Sequence, residues 1–292
     1  MDQKEFTDWL SSYTNVDTCF YAFQNQKQFF RINTIKLTIE KFREYSKLKY
    51  DQTPYYLAAC ELTEEQKNYA LGKTWEYFLG YLYPQSLPSI LTSLVLDPKP
   101  NQTILDVSAA PGSKFSHMAM LMKNTGVLVG NDLKKEKISA LYSTINRMNI
   151  LNCIVTLRDG AMLNWKERFD KVLLDAPCTA LGSGEGAQER WSIEHSKSIS
   201  NLQKKMLFSS YDALKPGGEL VYSTCTYAKE ENEMVVNNLL KNVPDAHLET
   251  INLDIPHEQG LSEYGDEFRK CYRIYPQHLQ SEGFFIAKIR KG

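Results

Sequence analysis

From residue 103 onward, short apolar runs alternate with segments of helical period, and this alternation constrains the fold more than any other feature of the chain. The runs are TILDV (103–107), GVLVGND (126–132), CIVTLRD (153–159), DKVLLDA (170–176) and GELVYSTC (218–225). Helical periods at about 112–122, 134–149 and 198–214 separate most of them. Near-continuous apolar strands joined through helices form a parallel sheet covered on both faces. The expected class is α/β, a doubly wound, mostly parallel sheet, and such sheets bind ligands at the carboxyl ends of their strands.

The first hundred residues are less regular. FFRINTI (29–35) alternates like a strand, and TIEKFREYSKL from Thr38 reads as an amphipathic helix. WEYFLGYLYPQ (75–85) is rich in aromatics, and SLPSILTSLVLDP (86–98) reads as a short apolar helix ended by Pro98. We expect a small α/β amino-terminal region over residues 1–85 and a larger domain over 86–292.

Composition removes several classes. The 292 residues carry a formal net charge of −1, which excludes a uniformly basic nucleic-acid coat and leaves local patches possible. No stretch approaches the ~18 apolar residues of a membrane span. The amino terminus MDQKEFTDWL lacks the apolar core of a secretory signal. Cysteines 19, 60, 153, 178, 225 and 271 are scattered, with no Cys-x-x-Cys pair and no histidine at metal spacing. We therefore expect no metal, no membrane, no obligate protein partner and a reducing, cytoplasmic compartment.

The residues suited to chemistry fall at strand ends. The first strand runs into Ser108-Ala109-Ala110-Pro111-Gly112-Ser113-Lys114, whose small side chains let a ligand approach the backbone ahead of a helix start. There is no Gly-x-Gly-x-x-Gly, and Pro111 removes an N–H that a pyrophosphate would use. Asp132 ends the second strand, where an acid can accept from both ribose hydroxyls. Asp159 ends the third, within reach of an adenine amino group, and Asp175 ends the fourth. Any one of these acids alone reads as a cap or turn residue. Together, around a turn without phosphate features, they point to S-adenosylmethionine rather than a dinucleotide. Leu214-Lys215-Pro216-Gly217-Gly218 reads as a tight turn leading into the fifth strand.

Strand four leads into Cys178 and strand five into Cys225. A lone thiol is usually inert core, the reading applied to Cys19, Cys60, Cys153 and Cys271. Two thiols and a carboxylate converging at adjacent strand ends suit methylation of a pyrimidine at C5. That carbon is a poor nucleophile until a thiolate adds to C6. A carboxyl group near N3 spreads the developing charge, and a base must then remove the C5 proton. Cys225, Asp175 and Cys178 are available for these tasks.

SAAPGSK, NDLKKEK, RDG, DAPC, LKPGGELVYSTCT and the terminal RIYPQHLQSEGFFIAKIRK resemble the successive motifs of the RNA 5-methylcytosine methyltransferases of the Nop/Sun group. The resemblance covers roughly residues 80–291, with FFRINTIK resembling the group's amino-terminal strand, and is nearest to compact archaeal tRNA cytosine methyltransferases. It implies a Rossmann-like class I methyltransferase fold, S-adenosylmethionine as cofactor and RNA, above all tRNA, as substrate. It implies Cys225 as nucleophile, Cys178 assisting product release, and Asp175 and Lys114 orienting or polarising the base. Ser108, Ala109, Ala110, Pro111, Gly112, Ser113, Lys114, Asp132, Lys137, Asp159 and Asp175 match the group's cofactor-binding positions. Ser108 and Ser113 stand where the group more often has Cys and Gly. TALGSGEGAQE replaces the commoner Ser-Gly continuation after DAPC, and its glycines 182, 184 and 186 read as a mobile loop rather than a phosphate cradle.

An RNA-binding protein near neutrality must concentrate its positive charge. Lys27, Arg31, Lys36, Lys41, Arg43, Lys47 and Lys49 form one basic stretch, and Arg269, Lys270, Arg273, Lys288, Arg290 and Lys291 form a second. Flanking such a fold, they fit a backbone-contacting surface. Two other readings stay open from sequence: an RNA-binding or assembly protein without turnover, and a DNA cytosine methyltransferase using Cys178.

Overall fold

The computed structural model describes residues 3–183, 186 and 191–292. Two helices, α1 (Gln3–Ser11) and α2 (Val16–Gln24), precede a small antiparallel sheet of β1 (Phe29–Ile32), β2 (Tyr50–Gln52), β3 (Ala59–Leu62) and β4 (Leu82–Pro84), in the order β2-β3-β1-β4. Helices α3 (Ile39–Tyr45) and α4 (Trp75–Phe78) lie in its connections. Hydroxyl caps fix both starts, since Thr38 Oγ1 accepts the Lys41 N–H and Thr74 Oγ1 the Tyr77 N–H.

Helix α5 (Leu87–Leu96) is buried along nearly its whole length, which explains why its sequence is apolar on every side. It packs between the small sheet and the main one, so Phe29 and Ala59 share a core with Val221 and Ile286. Asp97 takes a left-handed φ of 54° and closes the helix just before Pro98.

The main sheet contains β5 (Thr103–Asp106), β6 (Val127–Asp132), β7 (Cys153–Leu157), β8 (Phe169–Asp175) and β9 (Leu214–Thr224), all parallel, in the order β9-β8-β5-β6-β7. Helices α6 (Ser113–Leu121), α7 (Lys135–Met148), α8 (Ile193–Ala213) and α9 (Glu233–Asn242) alternate with these strands. Strands β10 (Ala246–Glu249), β11 (Glu258–Gln259), β12 (Tyr272–Ile274) and β13 (Phe284–Lys291) extend the sheet antiparallel beyond β9, with α10 (Pro276–Leu279) before β13. The five apolar runs are thus the parallel strands, and the strands leading to the two cysteines are neighbours, with Asp175 opposite Ser223.

The expected turn at Leu214–Gly218 lies inside β9. Leu214 pairs with Phe169, and pairing resumes only at Glu219 with Lys171, so the intervening residues loop out with Gly217 at φ 75°. The second basic stretch is a structural one. Arg273 is buried against Glu233, Lys288 and Arg290 meet Glu219, Lys291 meets Glu167, and Lys270 donates to the Leu248 carbonyl. Arg269, Lys270 and Arg290 are the exposed cations of this stretch, and Arg269 pairs with Asp266, while β13 lies inside the sheet between β12 and β9 rather than at an edge.

Candidate active site

The end of β5 is held open for a ligand by its neighbours. The Ala109 N–H donates to the Asn131 carbonyl, while Asn131 Nδ2 donates to the Val107 and Arg158 carbonyls at 3.1 and 3.0 Å. Asn131, fully buried, therefore fastens the ends of β5, β6 and β7 together, a role that its position before Asp132 does not announce in sequence. The chain then turns through a cis Ala110–Pro111 bond into Gly112 at φ 109°. A Cβ at Gly112 would lie 2.8 Å from Thr144 Cγ2, so only glycine serves there. Ser113 follows as the first residue of α6 in ordinary helical geometry, and a serine is tolerated where the Nop/Sun pattern more often has glycine.

Asp132 sits buried at the end of β6, its Oδ1 accepting the Lys134 N–H at 3.1 Å. Asp159 caps the short turn after β7 by accepting from the Ala161 N–H, so it is both a cap and a strand-end acid. Lys137 stands exposed on the first turn of α7. Asp106, beneath the turn, is pushed up to about 8 by burial, then by the charges of Asp175 and, more weakly, Asp132. A turn lined by acids in this way repels a pyrophosphate and suits the cationic sulfonium and ammonium groups of S-adenosylmethionine. Ser108–Gly112, Asp132 and Asp159 are the residues that would hold it, and they fit.

Lys114 and Asp175 meet across the crevice. Lys114 Nζ donates to Asp175 Oδ2 at 2.7 Å, and Ser223 Oγ donates to the other oxygen at 2.8 Å. Burial alone would push the lysine down, but Asp175, with Glu282 and Cys225 behind it, carries it above its ordinary value. The ring of Phe284 closes the far side, 5.1 Å from Nζ. Ser223 escaped notice in the sequence, although strand periodicity places it on the same face as Cys225.

Cys178 Sγ and Cys225 Sγ are 3.2 Å apart, both half-buried and both free thiols. The thiol of Cys225 is pushed well up, first by its contact with Cys178, then by burial and the negative charge of Asp175 and Glu282. Cys19, Cys60 and Cys271 are buried, and burial raises all three. Cys153, half-buried, is raised the same way. Among the described residues no group of His, Cys, Asp or Glu could hold a metal ion.

The loop after Cys178 offers no phosphate cradle at Gly182, whose N–H is taken by the Cys225 carbonyl at 2.8 Å. Gly184 lies outside the described residues.

Comparison with known proteins shows which family the chain belongs to. The family described as 16S rRNA methyltransferase RsmB/F matches residues 93–290. The chain belongs to this family. It is 38% identical over 288 residues to the tRNA (cytosine(49)-C(5))-methyltransferase of Pyrococcus abyssi, covering 93% of this chain and 90% of that one. It is 37% identical to ribosomal RNA small subunit methyltransferase F of Vibrio cholerae, covering 89% of this chain but only 57% of that protein. A solved methyltransferase homolog from Pyrococcus horikoshii superposes with a TM-score of 0.82 at 30% identity, each chain covered completely. As a member of the RsmB/F family, the chain is an S-adenosylmethionine-dependent RNA cytosine-C5 methyltransferase with a Rossmann-like fold. No helix among the described residues is long and apolar enough to cross a membrane.

Proposed function

We propose that this chain methylates C5 of a cytosine in tRNA, with Cys225 as nucleophile and Cys178 as the group that resolves the product. The observation that carries the assignment is the 3.2 Å thiol pair beside the Lys114–Asp175 ion pair. S-adenosylmethionine supplies a methyl group on a cationic sulfur. Because its thiol is pushed well up, Cys225 must first give its proton to a base, and the thiolate then adds to C6 and raises electron density at C5. Lys114 and Asp175, held by Ser223, face the base and steady the charge that develops toward N3. Once C5 is methylated its proton must go, and Cys178, in contact with Cys225, is placed to promote that elimination and free the nucleophile. The target cytosine has to leave its stack to enter such a crevice.

The choice of tRNA is supported by the likeness to the tRNA enzyme of P. abyssi, 38% identical over 288 residues. Labelled S-adenosylmethionine offered with unmodified tRNA transcripts should place label in 5-methylcytosine. Label in 16S rRNA fragments and none in any tRNA would reject the substrate. Two working thiols so close together also call for a reducing compartment, which supports a cytoplasmic setting.

Asp132→Ala is expected to weaken S-adenosylmethionine at least about tenfold, because each charge-assisted bond to a ribose hydroxyl contributes roughly 1.5–3 kcal/mol. Calorimetry on the folded variant reads this directly, and unchanged affinity would place the ribose elsewhere.

Residues 1–85 are proposed as an RNA-contacting region, with a smaller cationic surface than the sequence suggests. Arg31 is fully buried, donating to Gln85, Ser116 and the Ser113 carbonyl, because the small sheet packs its β1 against α6. Lys27 pairs with Glu61, Lys49 with Glu65, and Lys36 donates to the Leu79 carbonyl. Lys41, Arg43 and Lys47 stay exposed and form no salt bridge among the described residues. Neutralising these three should lower the slope of log affinity against log salt by about 2, at roughly 0.7 per phosphate contact on single-stranded RNA. An unchanged slope would make the stretch a solvated face.

A further inference from the structure

Both thiols lie beyond the reach of the sheet. Strand β8 ends at Asp175 and β9 at Thr224, so the ladder stops short of both cysteines, and the backbone there is tied by the Ala176 N–H to the Ser223 carbonyl and the Gly182 N–H to the Cys225 carbonyl. Side-chain bonds add to this hold on two thiols 3.2 Å apart.

We infer that Glu231 and Asn232 are positioning residues for the reaction, forming a clasp that fixes the backbone on both sides of each cysteine. Around Cys178, the Thr179 N–H donates to Glu231 Oε2 at 2.9 Å and its hydroxyl to Oε1 at 2.6 Å. Gln203 Nε2 donates both to Glu231 Oε2 at 3.2 Å and to the Pro177 carbonyl at 2.9 Å, so the residues before and after Cys178 hang from one carboxylate. Around Cys225, the Thr224 hydroxyl donates to Asn232 Oδ1 at 2.6 Å, and Asn232 Nδ2 donates to the Thr226 carbonyl at 3.0 Å. The halves join where the hydroxyls of Thr179 and Thr226 meet at 3.0 Å. The Tyr222 hydroxyl anchors the clasp to β9 by donating to the Glu231 carbonyl.

Glu231 and Asn232 are wholly buried, and Glu231 has no cationic partner among the described residues. A buried carboxylate without a counter-charge is costly and persists only when donors converge on it. Here the donors come from the segments that flank the thiols. The clasp touches neither sulfur, so it acts through geometry, and a displacement of about 1 Å in such a site can cost on the order of 100-fold in rate.

The inference rests on the roles proposed above for the two cysteines, and two readouts separate its failure from theirs. Diamide, which takes two thiols to a disulfide and is itself reduced to the hydrazine, reports how often the sulfurs meet, with no RNA present. Mass spectrometry of the linked Cys178–Cys225 peptide should show disulfide formation slowed about tenfold or more in Glu231→Ala. Glu231→Gln should restore it to within about threefold, since the amide can donate to the Thr179 hydroxyl while its oxygen still accepts the Thr179 N–H. With RNA and S-adenosylmethionine, Glu231→Ala should accumulate a covalent complex on Cys225, as Cys178→Ala should, because release depends on the thiol that has been displaced. If Glu231→Ala does not fold, Thr179→Val removes the linking hydroxyl at nearly constant shape and takes its place. An unchanged disulfide rate, or equal losses in Glu231→Ala and Glu231→Gln, overturns the clasp. If the disulfide rates behave as expected but Cys178→Ala gives no complex, the clasp stands and the proposed division of labour between the thiols falls.

Discussion

Cys225→Ala is expected to abolish methylation, with turnover falling by a factor of at least about 10⁴ and no covalent protein–RNA species forming. The size follows from the chemistry: without a nucleophile at C6, C5 never gains the electron density needed for methyl transfer. The neighbouring thiol offers no substitute. Cys178 lies on the other strand end, and its sulfur occupies a different point of the crevice, 3.2 Å away. Tritium release from C5 of labelled cytosine, measured beside methyl incorporation, detects addition at C6 even when turnover is slow. Binding of S-adenosylmethionine should be preserved, since Cys225 lies outside the Ser108–Asp132 half of the site. Methylation persisting in Cys225→Ala would transfer the nucleophilic role to Cys178, the arrangement expected of a DNA enzyme.

The largest effect on stability should come from Glu233→Gln. Arg273 and Glu233 form a fully buried, two-point ion pair, with Nε to Oε1 at 2.6 Å, and Arg273 also donates to the Tyr227 carbonyl at 3.0 Å. Burial alone would push the guanidinium down, but Glu233 more than offsets it and holds Arg273 above its ordinary value. Removing the carboxylate charge leaves a cation stranded in the core, which costs about 3–5 kcal/mol. At roughly 2–4 °C per kcal/mol for a chain of this size, the midpoint of thermal unfolding should drop by about 10 °C. The pair need not itself be a net gain over apolar packing. Glu233→Leu combined with Arg273→Met should therefore be less destabilised than either single change. A double variant as unstable as the sum of its parts would show that the two residues act independently.

The sheet was legible because its order comes from local period. Five apolar runs and the helices between them specify the strands, and a parallel sheet then dictates where a ligand can sit. The two cysteines, Asp175 and Asp132 could be named because each ends or closely follows such a strand. What escaped depends on partners far away in the chain. Nothing in KEENE (229–233) marks it as core, yet Glu230, Glu231 and Glu233 are buried, since Thr179 and Arg273 arrive from other parts of the chain to satisfy the last two. Arg31 looks like a surface cation because nothing nearby in sequence reveals Gln85 or Ser116. Helices α1 and α2 are short and only modestly apolar, and they hold their place through Trp191, Tyr227 and Tyr275, which pack with Phe6, Leu10 and Cys19. Periodicity carries no trace of such contacts.

The division of labour between the thiols is tested most directly with Cys178→Ala. Incubated with substrate RNA and S-adenosylmethionine, this variant should transfer the methyl group and then stall, accumulating a protein–RNA complex that survives denaturing electrophoresis. Digestion and mass spectrometry should place a methylated nucleotide on Cys225, and Cys178→Ala combined with Cys225→Ala should give no complex. A nucleotide found on any other residue, or Cys178→Ala turning over at the wild-type rate with no trapped species, would contradict the account.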